Sequence, residues 1–175
     1  MAGENPHRRL GIGMTIAMWV VLLGLLTMFF QDWGERQRNP NQNPQMRIGA
    51  DGVRELVLTR NRAGHYVASG SINGEPVVFM LDTGATDVAI PGPVAKRLRL
   101  KQGRAMVYQT ANGPVKVYAT VLDEVSLGDI SLRGVRASIN PAMHQQEVLL
   151  GMSFLKHLEF TQRGNTLTLR QYAQP

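Results

Sequence analysis

The first candidate for chemistry in this chain is a carboxylate set between two apolar strands. Asp82 follows Val77-Val78-Phe79-Met80-Leu81 and precedes Thr83-Gly84, and a second apolar stretch, Val88-Ala89-Ile90-Pro91, begins a few residues later. An apolar run rich in β-branched and aromatic residues reads as a buried strand, and a carboxylate at its end loses hydration unless partners compensate. One reading is a turn cap, because Asp-Thr-Gly is good turn chemistry and Asp bonds readily to nearby backbone amides. The other is a reactive group presented at the end of a strand, in a tight loop that fixes its position.

Leu81-Asp82-Thr83-Gly84-Ala85-Thr86 resembles the active-site loop of the retropepsin-like aspartic proteases, whose pattern is an apolar residue, Asp, Thr or Ser, Gly, then Ala or Ser. Downstream, Val148-Leu149-Leu150-Gly151-Met152-Ser153-Phe154-Leu155 is similar to the apolar-apolar-Gly element that leads into a short helix near the end of that fold. The two motifs stand in the family's order and at about its spacing. The likeness runs from roughly Glu55 to Arg170 and is nearest to the bacterial, membrane-anchored members. Met152-Ser153 stands where the viral enzymes carry Arg-Asn, so the viral style of intersubunit salt bridge is not expected here.

The resemblance implies an aspartic endopeptidase. Such enzymes hold two carboxylates so close that both cannot ionise together; the pair keeps one proton and titrates as a unit. One member activates a water while the other protonates the substrate carbonyl. This chain has a single Asp-Thr-Gly and no Asp-Ser-Gly, so a monomer carries half a site and a two-fold homodimer completes it with Asp82 from each subunit. By the same resemblance Thr83 bonds across the dimer, Gly84 lets its amide reach the carboxylate, and Ala85 lines the cleft without crowding it.

Val107 to Gly113 lies where the family has its flap. This implies that Tyr108 faces the cleft and that Ala111, Asn112 and Gly113 form a tip bonding the substrate in strand-like fashion. On pattern alone the same residues read equally as an ordinary surface hairpin, and Pro114 removes one amide from the tip. Two other classes stay open: a catalytically silent peptide-binding or scaffolding module, and an envelope structural protein in which Asp82 only caps a turn.

The elements that must position these residues are short strands separated by turns. Glu55 to Thr59, His65 to Ile72, Val77 to Leu81, Ala105 to Thr110, Val115 to Val125 and Ile130 to Ile139 read as strands, with Asn73-Gly74 and Asn112-Gly113 as hairpin turns. A last hairpin turns at Gly164-Asn165. Short helices are expected at Val94 to Leu98, after Pro93, and following Gly151. The pattern predicts an all-β, barrel-like domain over residues 50–175, and the resemblance makes it a retropepsin-like closed β-barrel with one or two short helices.

Ahead of that domain, after a tail of residues 1–9, Leu10 to Phe30 runs 21 residues without a charge. At ~1.5 Å per residue this spans a ~30 Å hydrocarbon core. A cleavable signal peptide is the rival reading, but its apolar region is normally ~7 to 15 residues and ends in small residues, whereas Phe29-Phe30-Gln31-Asp32-Trp33 follows here. The reading is therefore a transmembrane signal anchor over residues 10–30. Arg8 and Arg9 beside the span favour a cytoplasmic N-terminus, which puts the domain on the periplasmic side of a bacterial inner membrane. Residues 31–49, rich in Gln, Asn, Pro and Arg, read as a flexible linker.

Composition narrows the remainder. At 175 residues the chain suits one ordinary domain plus a tail, not a two-lobed peptidase with both aspartates. With no cysteine it has no disulfide, thiol nucleophile or thiolate metal site, and the four His show no ligand spacing, so neither a metal nor another cofactor is expected. The formal charge is +6, and Lys96, Arg97, Arg99, Lys101 and Arg104 cluster without an acid between them. No aromatic residues interleave with them, so a solvated face or a contact with anionic lipid is expected rather than nucleic acid. The expected partners are a second copy of the chain, a peptide or protein substrate, and the membrane.

Overall fold

The computed structural model describes residues 6–44, 46–49, 52–110 and 113–172. The chain divides after Gln37 into an N-terminal helical unit and a β unit. Helix α1, Pro6–Arg38, is apolar on every side through its middle, and Met14, Trp19, Leu23 and Phe29 are all exposed. Thr15 and Thr27 donate their hydroxyls to the Gly11 and Leu23 carbonyls one turn back, so neither polar group is left unpaired in the apolar stretch. From Gly13 to Arg38 this helix is long and apolar enough to cross a membrane.

The expected linker over residues 31–49 is instead helix, a hydrogen-bonded join and a strand. Gln31 to Arg38 continue α1, with Asp32 and Arg36 paired at 2.9 Å one turn apart. Asn41 is buried: its side-chain amide donates to the Thr59 and Val67 carbonyls at 2.9 and 2.7 Å, and its carbonyl oxygen accepts the Thr59 N–H at 2.7 Å. Asn39, also buried, donates to Ser69 Oγ. Strand β1, Met46–Ile48, then pairs with β2, Arg54–Thr59.

Beyond β2 the chain runs through β3 (Val67–Ile72), β4 (Glu75–Leu81), β5 (Val88–Pro91), α2 (Gly92–Arg97), β6 (Ala105–Thr110), β7 (Gly113–Leu127) and β8 (Ile130–Asn140). It ends with β9 (Val148–Leu150), α3 (Met152–Leu155), β10 (Glu159–Arg163) and β11 (Thr166–Gln171). Turn chemistry sets the hairpins: Asn73 and Gly74 both take positive φ, 52° and 81°, as a tight two-residue turn between twisted strands requires. Alternation sets the buried faces, as in β2, where Leu56 and Leu58 point inward and Val57 between them is exposed.

The fold is mostly β with few short helices, but it is not a single closed barrel. The strands sort into a four-stranded sheet, β1-β2-β11-β10, and a seven-stranded sheet, β3-β4-β9-β5-β8-β7-β6. The larger sheet curls until β3 meets β7 over two residue pairs, Ser71 with Ser126 and Ile72 with Val125, while β6 stays outside as an edge. Gly70 permits that approach, since a Cβ there would lie 2.3 Å from the Ser126 carbonyl oxygen. Phe79, Ile90, Leu122, Ile139, Leu150 and Phe154 fill the core, each contributing about 1.5–3 kcal/mol by leaving water.

For the site the decisive feature is β9. It inserts between β4, parallel to it, and β5, antiparallel to it, with Leu150 beside Leu81 and Leu149 beside Ala89. The connection from β4 to β5, residues 82–87, therefore has to pass the end of β9.

Candidate active site

Asp82 leaves β4 half-buried, with its backbone N–H donating to the Leu150 carbonyl at 3.2 Å. The chain then turns sharply, the Ala85 N–H returning to the Asp82 carbonyl at 3.2 Å. Inside that turn the Gly84 N–H donates to Asp82 Oδ1 at 2.9 Å, so the carboxylate is oriented by its own loop. The turn-cap interaction is thus present and serves to aim the acid. Thr83 and Gly84 are exposed, and Ala85 is half-buried behind them.

The second motif holds this loop from below. A Cβ on Gly151 would lie 2.3 Å from the Asp87 carbonyl oxygen and 2.6 Å from that of Ala85, so no larger residue fits. The next two amides continue the contact: Met152 N–H donates to Ala85 O at 2.8 Å and Ser153 N–H to Thr86 O at 2.9 Å. Ser153 is buried, and its hydroxyl accepts the Val88 N–H at 3.0 Å while donating to the Arg136 carbonyl at 2.8 Å. The residues standing in place of Arg-Asn are therefore clamp residues of the loop.

Two residues that the sequence did not single out complete the neighbourhood: Asp87 and Arg136. Asp87 is buried at 8 % exposure and accepts the Tyr108 hydroxyl on Oδ2 at 2.6 Å. Its Oδ1 lies 3.2 Å from Arg136 Nη2, an ion pair without hydrogen-bond alignment. Burial, then the hydrogen bond to Asp87, push the Tyr108 phenol up to about 12, so it remains a donor at ordinary pH. A carboxylate directly ahead of the apolar Val88-Ala89-Ile90 was the one available signal for Asp87.

Tyr108 is thus brought to the Asp82 loop through Asp87. Gly113 opens β7 opposite Thr110 with φ 102°, and Ala111 and Asn112 lie outside the described residues. A recess of about 370 Å³ is lined by Asp82, Thr83, Tyr66, Leu81, Leu155 and Phe160, among others. It offers an apolar wall beside a carboxylate. Other depressions, around Arg54 and Arg133 or Arg47 and Tyr172, hold none of the loop residues.

A β-strand sandwich of this order, with an Asp-Thr-Gly turn gripped by a Gly-led helix, is the retropepsin-like architecture. A crystal structure of a retropepsin-like aspartic protease from Rickettsia conorii superimposes with a TM-score of 0.58 at 31% identity, over 68% of this chain and 92% of that one. The family model described as gag-polyprotein putative aspartyl protease matches residues 68–157, from β3 through the clamp, and the chain belongs to that family. Two uncharacterised relatives align over 125 residues, 69% of this chain: one from the cobV 5' region of a Sinorhizobium species at 31% identity, and one from Rickettsia prowazekii at 29%. The chain spans about half the length of these curated relatives, 54% and 52%. Family and fold together support a protease-type function.

Proposed function

We propose that this protein is an aspartic endopeptidase whose site forms when two copies bring their Asp82 carboxylates together across a two-fold axis. The observation that carries this reading is the clamped loop: Asp82 is aimed by Gly84, fixed by Gly151 and Ser153, partly open to solvent, and present once per chain. A cap alone does not need a loop locked by three residues of a distant helix turn.

In the dimer the two carboxylates share one proton, because like charges a few ångströms apart cannot both ionise. The ionised member takes a proton from a water, whose oxygen attacks the scissile carbonyl carbon. The protonated member gives its proton to the carbonyl oxygen, forming a neutral gem-diol. Collapse of that diol breaks the C–N bond as the amide nitrogen takes a proton from one carboxyl of the dyad and a diol hydroxyl gives one to the other. This leaves an amine, a carboxylic acid and a dyad with its single proton restored. Thr83 ties the two loops across the axis, Ala85 lines the cleft, and the β6–β7 hairpin with Tyr108, Ala111, Asn112 and Gly113 covers an extended peptide.

Strand β10 supports the pairing. It is an edge of its sheet, exposed at every position but Thr161, and its sequence Glu159-Phe160-Thr161-Gln162-Arg163 is charge-complementary to itself when run antiparallel. Phe160 of this strand borders the recess beside Asp82. Helix α1 serves as a membrane anchor, with the N-terminus in the bacterial cytoplasm and the β unit in the periplasm.

The test is cleavage of a mixed peptide library by the full chain in detergent, across pH 3 to 8 and several protein concentrations. Turnover should rise faster than linearly with protein concentration and vanish in Asp82→Asn, whose melting temperature stays near that of the wild type. Absence of turnover in chains shown to be dimeric would instead favour a silent peptide-binding module of the same fold.

A further inference from the structure

Among the described residues, strand β6 is the outer edge of the seven-stranded sheet and is laddered to β7 alone, so its hairpin can pivot about that strand. Its Tyr108 nevertheless reaches the Asp82 loop and donates a 2.6 Å hydrogen bond to a carboxylate that is itself buried. The loop that carries that acceptor is clamped on both sides of it. The Asp87 backbone is pressed against Gly151, and the neighbouring Thr86 carbonyl and Val88 N–H are both taken by Ser153. On the far side Arg136 from β8 approaches the other Asp87 oxygen at 3.2 Å, and the Ser153 hydroxyl holds the Arg136 carbonyl.

We infer that Tyr108, Asp87 and Arg136 form a latch that sets the closed position of the β6–β7 hairpin relative to Asp82. All three act as positioning residues, and none touches the reacting atoms. The functional half of this inference rests on the proposed peptidase reading; the mechanical half does not. A hydrogen bond to a charged, desolvated acceptor is strong enough to bias a hairpin held by one ladder, yet it is one contact and can break to admit substrate. Arg136 lies against Oδ1 of Asp87 and Oδ2 takes the Tyr108 hydroxyl, while the raised Tyr108 phenol keeps its proton. Because Asp87 lies on the same clamped loop as Asp82, closing the hairpin against it registers the cover to the acid.

The experiment is backbone hydrogen exchange on the full chain in detergent, comparing wild type, Tyr108→Phe and Asp87→Asn. Tyr108→Phe removes only the hydroxyl and should speed exchange in β6 and the facing part of β7 by about tenfold, leaving β9 and β4 unchanged. Asp87→Asn retains an oxygen acceptor but loses the charge and the Arg136 ion pair, and should give a smaller rise in β6 exchange than Tyr108→Phe. With a cleaved peptide in hand, Tyr108→Phe should raise KM severalfold while kcat at saturation is largely kept, because bound peptide closes the hairpin. Unchanged exchange in β6, or a uniform rise across the whole sheet, overturns the latch. Faster exchange in β6 with no peptide cleavage by the wild type would leave the latch standing and count against the peptidase.

Discussion

The Asp82 loop and the β6–β7 hairpin meet at Asp87, yet they are held in opposite ways. The loop is fixed by backbone: Gly84 and Ala85 close its turn, Leu150 pins its start, and Gly151, Met152 and Ser153 grip its carbonyls and amides at closely spaced points. The hairpin is an edge, with one ladder on one side and a side-chain hydrogen bond at Tyr108. An acid that must face a partner acid needs the first kind of support, since a displacement of about 1 Å is enough to spoil a reacting geometry. A cover that must open for every substrate needs the second.

The most severe way to break this contrast is Gly151→Ala. The new methyl would meet two backbone oxygens, at 2.3 and 2.6 Å, and neither can swing aside as a side chain would. We expect a loss of about 3 kcal/mol or more, with α3 and the loop forced apart. Chemical unfolding measures it, and a cost under ~1 kcal/mol would mean that the loop yields as easily as the hairpin. Ser153→Ala should cost less, about 2 kcal/mol, by leaving the buried Val88 N–H without its acceptor. Its effect on turnover should follow stability, and any rise in β6 exchange should stay well below that of Tyr108→Phe, because the Tyr108 hydroxyl keeps its acceptor.

Much of the rigid region was legible because its chemistry is local. Asp82, Thr83 and Gly84 are consecutive, the apolar residues before them mark a strand, and the Gly151 motif carries its own helix start. The latch was not legible, because Asp87, Tyr108 and Arg136 come from three elements and meet only after β8 and β9 have been laid beside β5. The structure of the join after α1 was not legible for a different reason. Asn39 and Asn41 look like linker residues on any hydrophobicity reading, yet each is buried by satisfying backbone or side-chain groups of β2 and β3. Closure of the barrel failed as an expectation because strand count does not say how many residues β3 and β7 share; they share two pairs.

The gentlest test of the contrast is alkaline titration. Tyr108 has its phenol raised from 10 to about 12 in the folded chain, chiefly by burial and then by Asp87. The folded state therefore binds that proton more tightly than the unfolded one. Its contribution to stability is complete below pH 10 and drains away as pH climbs from 10 towards 12. The stability gap between wild type and Tyr108→Phe should accordingly be flat from pH 7 to 9 and shrink above 10. In the ultraviolet phenolate signal of the native chain, one of the four tyrosines should ionise late, and Tyr108→Phe should remove that step. If Tyr108 instead ionises at its ordinary value and the gap stays flat, its hydroxyl is not held at Asp87 in solution. The hairpin would then be tied to the sheet by β7 alone, and its difference from the Asp82 loop would be larger still.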